Sequence, residues 1–192
     1  MEGSRGLGDV YKRKTQVREC IREVSSVFEP LSLDEAFLDV SLLSWEEAIE
    51  SGKKLKKRIF EKTQLVSSVG IGPNKFIAKA LNNVHKPNSM AVILPQDAFG
   101  FAQKLKVTEF WGVGPATARR LTQRGLFWGR DLTQFGMEGL EDLLGKYGRF
   151  LYQLSIGKDS RKIGRSYSAK SCGAERTFSQ DIENLEQLER KL

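Results

Sequence analysis

From Asp9 onward the apolar residues Val17, Ile21, Val24 and Phe28 recur at helical spacing, which predicts an amphipathic helix ended by Pro30. Leu31–Val40 is short and apolar between Pro30 and Ser41 and reads as a strand entered through a turn. Ser44 followed by Glu47 is a capping-box pattern, and Ile49, Leu55 and Ile59 carry the next helix to about Lys62. A second strand is predicted over Leu65–Ile71. Gly72, Pro73 and Asn74 then turn the chain into a helix bearing Phe76, Ile77, Ala80 and Leu81, broken by Lys86-Pro87-Asn88 before a third strand at Met90–Leu94. This alternation through about residue 100 implies an α/β or α+β layer with helices packed on one face of a sheet.

Beyond Leu105 the pattern changes to short helices separated by glycines, which places a domain boundary near that residue. Helices are predicted at Pro115–Gln123, Arg130–Phe135, Gly139–Leu144 and Arg149–Ile156. Lys158–Lys170 is polar and basic without apolar periodicity, the pattern of a linker. Ser171–Phe178 suits a strand, and Leu185, Leu188 and Leu192 suit a last amphipathic helix.

The 192 residues are 40% hydrophobic and 29% charged, a globular composition that excludes collagenous and disordered classes. No apolar run reaches the roughly 18 residues that span a bilayer, and Met1–Tyr11 has no export signal, so a cytoplasmic protein is expected, with no membrane partner. Cys20 and Cys172 lie far apart and suggest neither disulfide nor zinc. The net charge of +7 is grouped: residues 27–50 hold seven acids and no Lys or Arg, residues 51–93 hold nine basic residues and one acid, and residues 101–176 hold fourteen basic and seven acidic residues. An acidic island between basic territories suits a chain that gathers a divalent cation beside bound phosphates.

Three motifs carry candidate chemistry. Within Leu31-Ser32-Leu33-Asp34-Glu35-Ala36-Phe37-Leu38-Asp39, the adjacent carboxylates Asp34 and Glu35 repel each other in an apolar setting unless a cation neutralises them. On a regular strand they point to opposite faces, so sharing a metal requires a bend such as a hairpin corner; the alternative is an exposed strand edge. Hard oxygen ligands suit Mg²⁺ held partly by substrate phosphates. Gly70-Ile71-Gly72-Pro73-Asn74-Lys75, with Lys79 four residues on, is either a phosphate-cradling turn with added lysine charge or a plain strand-to-helix connection. Trp111-Gly112-Val113-Gly114-Pro115, followed by Arg119 and Arg120, has the pattern of a helix-hairpin-helix gripping a nucleic-acid backbone without reading bases, or of a packing hairpin. His85, the only histidine, follows a polar helix end and suggests exposure rather than catalysis, and the three tryptophans suggest packing.

SLDEAFLDV, then VGIGPNKFIAKAL with KPN, then GVGPATARRL, in this order, closely resemble the Y-family DNA polymerases of the bacterial DNA polymerase IV type. The resemblance runs from about Asp9 to Phe178, and Lys146-Tyr147-Gly148-Arg149 and Gly173-Ala174-Glu175-Arg176-Thr177 extend it. It implies an α+β chain: a partial palm over residues 1–104 (an antiparallel or mixed sheet with helices on one face), an all-α thumb with the helix-hairpin-helix over 105–165, a basic linker over 158–170, and the beginning of a little finger over 171–192. By resemblance Asp34 and Glu35 are the catalytic, metal-binding carboxylates, and Lys86 touches the incoming triphosphate. Lys75, Lys79, Gly112, Val113, Gly114, Arg119 and Arg120 are then the DNA contacts.

The activity implied is template-directed nucleotidyl transfer in translesion synthesis and DNA repair. It uses two Mg²⁺ ions, with primer-template DNA and deoxynucleoside triphosphates as partners. The family's upstream strand with a further metal-binding aspartate, its steric-gate aromatic and its fingers find no counterpart in Met1–Asp9, and the sliding-clamp-binding tail is not found either. The expectation is therefore an internal piece that binds DNA weakly and polymerises poorly or not at all. The competing expectation is a non-catalytic DNA-binding or scaffolding protein; an acidic-pair nuclease fits less well, because no general base is evident.

Overall fold

The computed structural model describes residues 3–164, apart from the side chains of residues 3–9, Val84 and His85. The strand and helix expected after Ser171, and the exposure expected of His85, lie outside this set. Helix α1 (Gly3–Val24) ends earlier than its apolar spacing predicts. After Ser25 N bonds Ile21 O, the Ser25 hydroxyl donates to the carbonyls of Val27 and Asp39 at 2.9 and 2.7 Å and draws the chain out of the helix. Phe28 and Pro30 thus belong to a strand, and Pro30 ends that strand instead of the helix. The single strand expected at Leu31–Val40 is likewise corrected to an antiparallel hairpin of β1 (Phe28–Pro30) and β2 (Ala36–Leu38), with Phe28 opposite Leu38 and Pro30 opposite Ala36.

Helix α2 (Trp45–Thr63) starts with the expected capping box: Glu47 N donates to Ser44 Oγ and Ser44 N to Glu47 Oε2. Its buried positions Ala48, Gly52, Leu55, Ile59 and Thr63 follow helical spacing, and Leu55 and Ile59 pack on Cys20 and Ile21 of α1. Strands β3 (Val69–Ile71) and β4 (Met90–Val92) pair in parallel, joined by α3 (Lys75–His85). The described residues therefore contain two small sheets, one antiparallel and one parallel, with helices against them.

A larger apolar cluster runs from Phe76, Ile77 and Ala80 of α3 through α4 (Ala98–Lys104) into α5 (Pro115–Thr122), α6 (Gly129–Leu144) and α7 (Lys146–Ser155), continuous across residue 105. Helix α4 escaped the sequence reading. Gly136, at φ +83°, interrupts α6 between the two helices that the sequence predicts there. Lys158–Gly164 forms no helix or strand. Among the described residues no helix is long and apolar enough to cross a membrane.

Candidate active site and nucleic-acid interface

The hairpin supplies the bend that a shared carboxylate site requires. Leu31 N and Ser32 N both donate to Glu35 O, at 2.9 and 3.3 Å, closing a tight loop with Asp34 and Glu35 at its corner. Glu35, its side chain 25% exposed, is held by two ammonium groups, Lys79 Nζ on Oε2 at 2.7 Å and Lys86 Nζ on Oε1 at 3.2 Å. Asp34 is exposed and accepts from Ser32 Oγ at 2.7 Å. The hydrogen bond from Lys79 holds the Glu35 carboxyl below its usual range, and the one from Ser32 does the same for Asp34.

Both ammonium groups sit on Glu35, and with the neighbouring Asp34 carboxylate the formal charges of the corner sum to zero. Among the described residues no group of three or more His, Cys, Asp or Glu side chains could hold a metal ion. The donor set as it stands does not fit a divalent ion without displacement of a lysine. Asp39 adds nothing here, since its carboxylate accepts from Ser41 N at 3.0 Å.

Because the Glu35 carboxyl titrates lower when folded, its ion pairs stabilise the fold above the unfolded value of 4.5 and lose that effect as pH falls through the folded value. Glu35→Gln is expected to destabilise by on the order of 1 kcal/mol at neutral pH. Urea unfolding should show this difference shrinking as pH falls below 4.5; a difference independent of pH would rule out the ion-pair account.

Lys75, expected among the DNA contacts, is buried in this structure. It is 7% exposed, its Nζ lies 2.6 Å from Glu29 Oε1 and 3.5 Å from Lys162 O, and its ammonium stands 5.1 Å from the centre of the Phe37 ring. The glycine-rich turn before it also has a packing role. A Cβ on Gly70 would lie 2.3 Å from Ala78 O, and one on Gly72 would lie 3.0 Å from Ala78 N, so both glycines let β3 approach α3. The α3 amides of Phe76 and Ile77 are taken by Asp159 Oδ2 and Asn74 Oδ1. In this structure the turn packs as a strand-to-helix connection.

The second hairpin is open to solvent. Gly112 takes φ +81°, Gly114 caps α5, and Pro115 occupies the first helical position. A short 3₁₀ turn, Val107–Glu109, precedes this loop where a full helix-hairpin-helix has an α-helix. Val113 N bonds Phe110 O at 3.1 Å and Gly114 N bonds Gly112 O at 3.2 Å. Arg119 is exposed on α5, and Arg120 donates to Leu143 O. Tyr147 Oη donates to Trp111 O at 2.6 Å, and burial pushes the phenol up to about 12, so it stays a donor. Phe37, two residues past Glu35, meets the Trp111 ring at 5.9 Å, which brings the two hairpins together. Sequence reasoning missed Phe37, Tyr147, Asp159 and Arg161 as parts of this arrangement.

Residues 6–83 match the impB/mucB/samB family. The chain is 37% identical to DNA polymerase IV of Leptospira interrogans over 187 residues, covering 96% of this chain and 52% of that protein. It is 41% identical to DNA polymerase IV 2 of Agrobacterium fabrum over 181 residues, covering 93% and 51% respectively. The chain thus spans about half the length of the curated relatives it matches. Among solved structures it is similar to a Y-family DNA polymerase chimera of Dbh and Dpo4, at TM-score 0.77 and 31% identity over 84% of this chain and 48% of that one. DinB from Sulfolobus solfataricus gives TM-score 0.74 and 31% identity over 80% and 46%.

Proposed function

We propose that this relative of the Y-family DNA polymerases supplies palm and thumb elements of a template-directed DNA polymerase of the translesion class, with the palm up to about residue 104 and the thumb from 105 to about 165. The observation that carries the reading is the Phe37–Trp111 contact. It puts a carboxylate corner with two lysines next to an open glycine loop at a helix N-terminus. The first suits a nucleoside triphosphate and the second a strand phosphate. Lys86, exposed at the end of α3, can leave Glu35 for a triphosphate, while Lys79 keeps the carboxylate oriented. The Gly112–Gly114 loop, at the positive N-terminal end of α5, approaches a primer-strand phosphate, with Arg119 as an added charge. Mg²⁺ is the ion that hard carboxylate oxygens suit, and Asp34 and Glu35 would hold it only once a lysine leaves Glu35.

The neutrality of the corner favours a second reading, a non-catalytic DNA-binding protein. Both are tested with a labelled primer on a DNA template, Mg²⁺ and all four deoxynucleotides. On the polymerase reading the chain alone binds the duplex weakly and extends the primer slowly. Any extension must vanish in the Asp34→Asn, Glu35→Gln variant; extension that survives it removes the corner from the chemistry. Binding without any extension is the outcome of the second reading.

A further inference from the structure

Lys158–Gly164 crosses the N-terminal end of α3 and is fastened to both hairpins. The Asp159 side chain is fully buried, 0% exposed. Its Oδ1 accepts from Arg161 N and Nε at 3.1 and 2.8 Å, and its Oδ2 from Arg161 Nη2 and Phe76 N at 2.6 and 3.1 Å. The guanidinium so fixed stacks on two rings, 4.2 Å from the centre of Trp111 and 5.0 Å from that of Phe150. On one side of this pair Asn74 Nδ2 donates to Gly157 O at 2.8 Å, and on the other Gly164 N donates to Glu29 Oε2 at 3.1 Å. A planar forked cation that is both paired and stacked has one orientation, unlike an ammonium on a flexible stem. Trp111 immediately precedes Gly112, and Phe76 belongs to the helix that carries Lys79.

We infer that Asp159 and Arg161 are positioning residues for nucleic-acid binding, clamping Trp111 so that the Gly112–Gly114 loop keeps a fixed place beside the Asp34–Glu35 corner. The inference rests on the proposed DNA-binding reading of that loop. Simple charge attraction makes a different forecast. Asp159→Asn adds net positive charge and would tighten DNA binding, and Arg161→Lys keeps the charge and would leave it unchanged. The clamp predicts that both substitutions weaken affinity by about tenfold, the size of one misplaced phosphate contact.

The test titrates labelled primer-template duplex with the full chain, these two variants and Gly112→Val, at a temperature where circular dichroism shows each folded. A purely structural pair would lower the melting temperature and leave affinity per folded molecule unmoved. Weaker binding by Gly112→Val and by both clamp variants supports the inference. Weaker binding by Gly112→Val alone overturns the clamp and leaves the loop reading intact. Unchanged affinity for Gly112→Val removes the loop reading, and the clamp with it. Should Asp159→Asn fail to fold, Arg161→Lys, at a partly exposed position, decides the matter by the same criteria.

Discussion

Gly148→Ala is expected to destabilise the chain by at least about 3 kcal/mol, the range of overpacked or severely clashing core changes. A Cβ at this position would lie 1.9 Å from Leu140 O, 2.3 Å from Leu140 C and 2.8 Å from Glu141 N, all backbone atoms of α6. No rotamer change relieves a clash with backbone. Helix α7 must therefore move away from α6, and Leu151 and Leu154, both 0% exposed against Leu140, lose their packing. Neighbouring Tyr147 would shift from the Trp111 carbonyl in the same movement, so duplex affinity should fall together with stability.

Gly100→Ala is the control. Its Cβ would meet nothing within 4 Å, and within α4 the change is expected to stabilise by roughly 0.5–1 kcal/mol through helix propensity. Urea unfolding of the two variants beside the parent separates them by sign. Equal behaviour would falsify close helix approach as the reason for glycine at 148.

Why α2 was legible and the first hairpin only half so follows from what leaves a local trace. The Ser44/Glu47 box and the buried run Ala48, Gly52, Leu55, Ile59 sit within one helix, so periodicity and capping report them directly. Strands of three residues are too short to show alternation, and Phe28 stands four residues after Val24, which extends a helical pattern into β1. The event that ends α1 is a hydroxyl of Ser25 reaching the carbonyl of Asp39, fourteen positions away, and nothing local announces it.

The bend at Asp34 and Glu35 could be stated as a condition of shared chemistry, because adjacent carboxylates on a strand face opposite ways. Its partner lysines could not be chosen, since Lys75 and Lys79 look equivalent on paper. Asp159 and Arg161 lie in a polar run without periodicity, where composition suggests a tether. Only the fold shows a buried carboxylate gripping a helix amide there.

The distinction between those two lysines yields the other large effect. Lys75 and Lys79, four residues apart on one face of α3, each bind a hairpin carboxylate, but at different depths. Lys75→Met is expected to cost about 3–5 kcal/mol, because it leaves a half-buried Glu29 carboxylate without its cation. Glu29 is only 19% exposed and would keep a single neutral donor, Gly164 N. Lys79→Met should cost on the order of 1 kcal/mol, since Lys86 still pairs with Glu35 and water reaches the site.

The double variant Glu29→Gln, Lys75→Met should recover much of the single-variant loss, because removing both charges leaves no buried ion unpaired. Duplex affinity per folded molecule should stay at the parent level for Lys75→Met. If affinity falls while stability holds, Lys75 leaves its pocket to meet phosphate, and the DNA contact expected from its motif is the right reading. Loss of stability with affinity preserved assigns this lysine to holding α3 against the carboxylate hairpin, so that the acidic corner owes its position to a cation that never touches the nucleic acid.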